Sequence, residues 1–273
     1  MSFAIFCVNG FPVAAGRLAY INDSGRLTTV EEWIQRQLRE RQQPVSRPGV
    51  MFQRWLHLLF LHWAVDPEML QRTLPHGLSV DTFEGSAWIG IVPFYMRHVR
   101  PVGLPLLSSN FLEVNLRTYV KDHQGVPGVW FYSLDANHQL AVWLARLFFG
   151  LPYQLAKMQA EARPNAIRYS CQRSGSSTVQ EYRFLPSDDL GEAKLGSLEF
   201  FLIERYRLFS VRGARLLTGR VYHSPYNLRK VAVSKFDKHL FQLDGLPTPP
   251  GSPHSVLYSA GVDVTIYPVA VVR

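Results

Sequence analysis

The stretch "FLEVNLRTYV", residues 111–120, alternates with a period of two. Leu112, Val114, Leu116, Thr118 and Val120 fall on one side, and Phe111, Glu113, Asn115, Arg117 and Tyr119 on the other. Only an extended strand keeps these two sets apart; a helix would mix them. One strand face therefore carries an acid, an amide, a guanidinium and a phenol in sequence. Such a face either meets bulk water or lines a polar interior, and the pattern by itself leaves both open.

The remainder of the chain tips the fold toward strands. Its 273 residues are enough for a real core, and 47% of them are apolar against 18% charged, a globular balance. Tyr, Phe and Trp are abundant, and strands favour them. Strands are expected at "WLHLLFLHWAV" (55–65), at two segments of 78–96 about the turn Glu84-Gly85, and at "GVPGVWFYSLDA" (125–136) as hairpin partner of the opening strand. Further strands are expected at "IRYSCQR", "VQEYRFLP", 214–224 and 261–272. Asp66 caps a short helix that Pro67 begins and Pro75 closes. "NHQLAVWLARLFFG" (137–150) reads as a helix with Asp135 or Asn137 as cap. Its Leu140, Trp143 or Leu144, Leu147 and Phe148 form the apolar side, and Gly150 ends it. "SLEFFLIERYRLFS" (197–210) reads as another helix, capped by Ser197. Many strands with a few interposed helices make an α+β protein on a large antiparallel sheet or barrel.

Residues 1–50 differ in character and are expected to form an N-terminal extension, loosely ordered or partly helical, with one charged helix from Val30 to Arg41. The main domain is expected over 51–273. No apolar run approaches the length of a spanning helix, and the first residues lack a basic leader. Cys7 and Cys171 show neither metal nor redox spacing, in keeping with a reduced, cytoplasmic protein. The formal net charge is +8, concentrated in 204–238. Without an RNA-binding aromatic signature, zinc-finger spacing or basic zipper, that bias reads as a solvated surface, and nucleic acid is disfavoured as a partner. No phosphate loop, dinucleotide glycine motif, nucleophile elbow or zinc spacing occurs, so no cofactor and no metal are expected.

Several stretches together resemble a known family: "LFLHWAVDPEMLQRTLPHGLSVDTFEGSAWIGIVPFYM", "NFLEVNLRTYV", "GVWFYSLDA", "ARLFFGLPY", "SLEFFLIERYRLFS" and "YSAGVDVTIYP". They are similar to the YqjF-type family of uncharacterised proteins, domain of unknown function 2071, from about Phe52 to the C-terminus. The family's usual His-Tyr-Ser near the last strand stands here as Leu257-Tyr258-Ser259. The resemblance implies an acetoacetate-decarboxylase-like antiparallel β-barrel or cone with a few flanking helices and a buried pocket. In the decarboxylase, a Gly-x-Pro-Lys-Lys motif supplies the lysine that forms a Schiff base. Gly150 and Pro152 match it, but Tyr153 and Gln154 occupy the lysine positions, and a phenol cannot form an imine. Glu113 falls at the place of a glutamate the decarboxylase uses. Lys157, four residues past Tyr153, would have to move an amine by about 13 Å along a strand to replace the lost one.

The expected function is a small-molecule pocket in a decarboxylase-like barrel. As an enzyme it would act on a small carbonyl or carboxylate metabolite, as a lyase or isomerase, by acid–base chemistry without an imine. The catalytic candidates are Glu113, Tyr153 and His223, and the substrate-binding candidates are Asn115, Arg117, Tyr119 and Arg205. The alternatives are a non-catalytic carrier or sensor and, more weakly, a basic surface that binds nucleic acid or a partner. The ligand is expected to be small and anionic, with no membrane partner; the sequence is compatible with a homo-oligomer.

Overall fold

In a computed structural model, the protein is described over residues 19–21, 27–42, 48–104 and 106–272. The chain begins with a small ladder, β1 (Ala19–Ile21) with β2 (Leu27–Thr29), and helix α1 (Val30–Arg41). Then come β3 (Met51–Val65), α2 (Pro67–Gln71), β4 (Leu78–Val80), β5 (Ala87–Pro101), β6 (Ser109–Asp122) and β7 (Pro127–Ala136). Helix α3 (Gln139–Phe149) leads to β8 (Tyr153–Arg163), β9 (Ala166–Arg173) and β10 (Gln180–Gly191). Helix α4 (Leu198–Ile203), β11 (Arg207–Arg212), β12 (Arg215–His223) and β13 (Leu228–Lys235) follow. Helix α5 (His239–Leu243), β14 (Ser255–Ile266) and β15 (Ala270–Val271) complete the order.

Strands β3 to β15 join in one 13-stranded sheet in which β7 also pairs with β6, and β12 with β14. These two extra pairings close the sheet into two rings. One runs β7-β6-β5-β3-β14-β12-β11; the other shares β7, β6, β5, β3 and β14 but returns through β13, β10, β9 and β8. The shared strands form a wall with a hydrophobic cluster on either side. Leu58, Phe60, Phe94 and Val264 lie in one cluster with α4; Leu59, Leu61, Ile91 and Val114 lie in the other with α5. Between the two rings both faces of the wall are buried, over Leu58–Trp63 of β3 and Ala87–Met96 of β5.

The strands expected from the sequence form as β3, β5, β6, β7, β9, β10 and β12, and the last expected strand falls on the end of β14 and on β15. Two local features reset the parity. His57 has φ 54°, and the β3–β5 register slips between Leu56 and Leu61, a bulge that inserts one residue. His57 therefore shares the side of Leu56, ringed by Tyr95 and Tyr258, whereas His62 points to the other cluster.

Three expectations are corrected. The helix expected over 197–210 stops at Ile203, because the aromatic segment Arg207–Arg212 pairs with β12 and, through Leu208 and Phe209, with β7. The cap of α3 is neither Asp135 nor Asn137 but His138, whose side chain accepts from the Ala141 N–H. Asp135 is instead buried in an ion pair with Arg173, and Asn137 accepts from the Leu112 N–H. Third, the broad apolar side of α3 does not face the core. Val142 is buried, with Ala141 and Ala145 packed beside it, while Leu140, Trp143, Leu147 and Phe148 are exposed. Small residues let this β7-to-β8 crossover helix lie close on the sheet, and its bulky side is left outward. Gly150 ends α3 as expected, at φ 64° and with its N–H on the Arg146 carbonyl, a left-handed position where a side chain is strained.

Helix α1 forms over the expected residues and docks on the ring. Trp33 packs against Phe200 and Phe201 at 5.9 Å, Arg207 pairs with Glu40, and Arg220 donates to the carbonyls of Glu40 and Gln42. Cys7 lies outside the described residues. No helix among the described residues is long and apolar enough to cross a membrane.

Candidate functional site

Strand β6 sits in the shared wall between β5 and β7, so both its faces are covered. Leu112, Val114 and Leu116 pack into the cluster with α5, and Phe111 and Tyr119 into the cluster with α4. The row of polar residues therefore looks into the ring closed by β11 and β12. Glu113 and Asn115 are buried, and Arg117 is half-buried, the one member of the row from Phe111 to Tyr119 that is not buried.

At one end of the row, three side chains meet. The Tyr153 hydroxyl donates to Glu113 Oε2 at 2.7 Å, and Asn115 Nδ2 donates to Oε1 at 3.1 Å. The local chain explains how Tyr153 arrives there. Gly150 reverses the chain after α3, Arg146 Nε holds the Tyr153 carbonyl at 2.7 Å, and β8 then pairs in parallel with β7, Leu134 opposite Tyr153. Burial drives the Glu113 carboxyl up to about 7, against the opposing pull of its bonds from Tyr153 and Asn115 and of the Arg117 charge. Burial and the neighbouring carboxylate hold the Tyr153 phenol well above its ordinary value, so it remains a proton donor. Asn115 Oδ1 has no partner.

Farther along the same face lie Arg117 and Tyr119. The Arg117 guanidinium stands 5.6 Å over the Phe60 ring and 6.0 Å over the Tyr119 ring. Its Nε is unpartnered, and among the described residues no carboxylate pairs with it. Its charge is felt by His62, Glu113, Tyr119, His223 and Tyr226 alike, which places it centrally. Tyr119, fully buried, has its hydroxyl 2.6 Å from His62 Nε2. Which of the two atoms donates in this contact is set by the imidazole tautomer. Burial keeps His62 neutral, well below its usual value, and its Nδ1 has no partner.

Gly90 makes this contact feasible. It stands opposite His62 on β3 and opposite Arg117 on β6. A Cβ there would lie 2.5 Å from His62 Cδ2 and 2.8 Å from Nε2. The imidazole occupies the space over the glycine and so reaches across β5 to Tyr119.

The other two candidates are held by the scaffold. His223 is clamped between the rings of Tyr206 and Tyr226, each at 4.6 Å. Its Nδ1 lies 2.8 Å from the Ser224 carbonyl, and burial lowers it to about 4, so it is neutral near pH 7. Arg205 pairs with Asp81 at 2.6 Å, donates to the Phe201 carbonyl, and stacks on Phe201 and Tyr119. Its guanidinium braces the far side of Tyr119 rather than standing open. Lys157, on β8, is exposed and presents no amine to the buried row.

The basic run 204–238 does not make one patch: Arg207 binds Glu40, Arg220 binds carbonyls at the C-terminal end of α1, Lys230 pairs with Asp188, and Lys235 with Glu181. A surface cleft of about 550 Å³ opens on the outer face of β8, β9 and β10, lined by Glu161, Arg168, Glu181, Arg183 and Lys235. Lys235 and Glu181 already pair within it at 2.6 Å, and none of the buried row reaches it. Among the described residues, no cluster of three His, Cys, Asp or Glu side chains is placed to hold a metal ion.

Gly90 and Tyr226 are members of this neighbourhood that sequence reading did not single out. The pairing of Gly90 with both His62 and Arg117 exists only once β3, β5 and β6 are aligned.

Comparison with known proteins agrees with this architecture. The profile of the DUF2071 family, described as an uncharacterized conserved protein, matches residues 52–263. The uncharacterized protein YqjF of Bacillus subtilis (strain 168) is 35% identical over 237 residues, covering 85% of this chain and 97% of that one. Among solved structures, acetoacetate decarboxylase from Legionella pneumophila superimposes with a TM-score of 0.58 at 13% identity, over 85% of this chain and 91% of its own. The enduracididine biosynthesis enzyme MppR, complexed with pyruvate, gives 0.57 at 15% identity, over 94% and 98%. At such identities the likeness is one of fold.

Proposed function

We propose, from the premise that this chain belongs to the DUF2071 family and carries an acetoacetate-decarboxylase-like fold, that its β6 row binds a small carboxylate bearing a carbonyl group and moves a proton on it. The observation that supports this reading is Arg117: a half-buried guanidinium without a carboxylate partner among the described residues, on the same strand face as a carboxyl that titrates near neutrality. A guanidinium binds a carboxylate through two parallel bonds and fixes its orientation. Glu113, ionised in a large fraction of molecules near pH 7, takes a proton from the carbon beside the carbonyl. The electron pair of that C–H bond moves to the carbonyl oxygen, and reversal returns the proton. Asn115 and Tyr153 orient the carboxyl. With tyrosine at the lysine position, the chemistry runs without an imine.

Pyruvate is the first probe, because the neighbour MppR is recorded in complex with it. In deuterated buffer, the methyl protons of pyruvate exchange faster with the protein than without, as followed by proton NMR, and Glu113→Gln abolishes that gain while pyruvate still raises the melting temperature. Absence of both exchange and thermal shift, with pyruvate and acetoacetate alike, defeats the reading. Binding without exchange reduces the site to a carrier. A borohydride-trapped adduct would restore the imine route.

A further inference from the structure

The side chains of α3 are distributed backwards for a monomer. Leu140, Trp143, Leu147 and Phe148 are 49–58% exposed, while the side toward the sheet is built from Ala141, Val142 and Ala145. A second apolar segment emerges at the same end of the wall. His138, which caps α3, packs against Phe111 at 5.6 Å, and the chain entering β6 two residues before Phe111 carries exposed Leu104, Leu106 and Leu107, Leu106 at 96%. Half-exposed side chains of this size show on the order of 100 Å² each, so these seven present roughly 700 Å². That exceeds the ~300–600 Å² of the largest apolar patch on a typical monomer and approaches the ~800 Å² per partner of a standard interface.

We propose that this face joins two copies of the chain about a two-fold axis, with α3 packed against α3 of the partner. The spacing of Leu140, Trp143, Leu144 and Leu147 is self-complementary: in an antiparallel pair, Leu140 of one copy meets Leu147 of the other, and Trp143 meets Leu144. Little charge has to be stripped of water. The one ion on α3, Arg146, is exposed beside this face but already bonded to its own chain, to the Tyr153 carbonyl at 2.7 Å and Gln154 at 3.2 Å, and residues 102–109 carry no charge. A single cation, Arg146, already bonded to its own chain, weighs against an anionic bilayer as the occupant, since surface-bound helices are rich in Lys and Arg beside their apolar face. The net charge of +8 opposes pairing only weakly at physiological ionic strength.

Sedimentation velocity on the full chain at tens of micromolar is the test. The wild type sediments as a dimer, and Trp143→Glu and Leu147→Glu as monomers, each with an unchanged far-ultraviolet circular dichroism spectrum. Trp143→Ser, which adds no charge, weakens the dimer at least tenfold in Kd and serves should either Glu variant fail to fold. A monomeric wild type overturns the proposal, as does a dimer that survives all three substitutions. A monomer that instead co-floats with phosphatidylglycerol vesicles also overturns it and assigns the face to lipid.

Discussion

Tyr153 donates its phenolic proton to Glu113 Oε2 across 2.7 Å, from the first residue of β8 to a strand on the far side of β7. A carboxyl so held, with its pKa raised from 4.5 to about 7 chiefly by burial, ties stability to pH. The folded state binds the proton more tightly than the unfolded chain does. The stabilisation is therefore complete below about pH 4.5 and is lost as pH rises through 7, by on the order of 3 kcal/mol. Glu113→Gln removes this dependence. Urea denaturation across pH 5 to 8 should show the wild type losing stability relative to the variant as pH rises. Asn115, whose Oδ1 is unpartnered, can turn its amide to accept from the side-chain N–H that the substitution introduces. Parallel stability curves for the two proteins would contradict the raised pKa.

Arg117→Met tests the anion anchor apart from the fold. The guanidinium makes no ion pair among the described residues, so its removal should change stability by less than about 1 kcal/mol. Pyruvate or acetoacetate binding should fall at least tenfold, because a bidentate charged contact is lost. Calorimetric titration of a variant with the wild-type melting temperature decides it. Unchanged affinity means that the anchor lies elsewhere.

The parts of the site that sequence made legible are those governed by a short period. Glu113, Asn115, Arg117 and Tyr119 announce one face by alternation, and the closed rings turn that face inward. Tyr153 was reachable only through the family resemblance, because Gly150 and Pro152 match a motif whose lysine position it occupies. Contacts that depend on alignment of distant strands were not legible: Gly90 opposite His62, Asp81 opposite Arg205, Glu40 opposite Arg207. Amphipathicity misled at α3, because an apolar stripe says that a face is covered without saying by what. It also misled at 197–210, where "LEFFLI" and "RLFSVR" are both apolar and only the pairing with β12 separates helix from strand.

Gly90→Ala should act through His62. Its Cβ would overlap the imidazole at 2.5 Å, so the ring must leave Tyr119, at a cost of about 1–3 kcal/mol. Tyr119 then supports Arg117 less well, and carboxylate affinity falls with stability. In a His62→Ala background the methyl group meets no ring, so the same substitution should cost much less. Equal costs in the two backgrounds, measured by a double-mutant cycle, would show that the strain comes from the Leu61 carbonyl at 3.2 Å instead.

Across the wall, Arg173 holds a buried network together. It donates to Asp135 at 3.0 Å, to Asp244 at 2.6 Å and to the Ser133 hydroxyl at 2.6 Å, and Ser133 in turn donates to Asp244 at 2.5 Å. The network links β7 and β9 to Asp244, the cap residue of α5. Arg173→Met leaves two carboxylates facing each other without a cation, and breaking such a buried arrangement costs about 3–5 kcal/mol. The sign of its pH dependence follows from Asp135, which burial already raises above its ordinary value despite Arg173. Without the guanidinium that carboxyl rises further, so the folded variant gains a proton that the unfolded chain releases more readily. The destabilisation is then smallest at acid pH and grows as pH climbs through the folded value. Urea midpoints of wild type and Arg173→Met at pH 5 and pH 8 check this, and a loss equal at both, or larger at pH 5, would show that Asp135 keeps its proton equilibrium without Arg173.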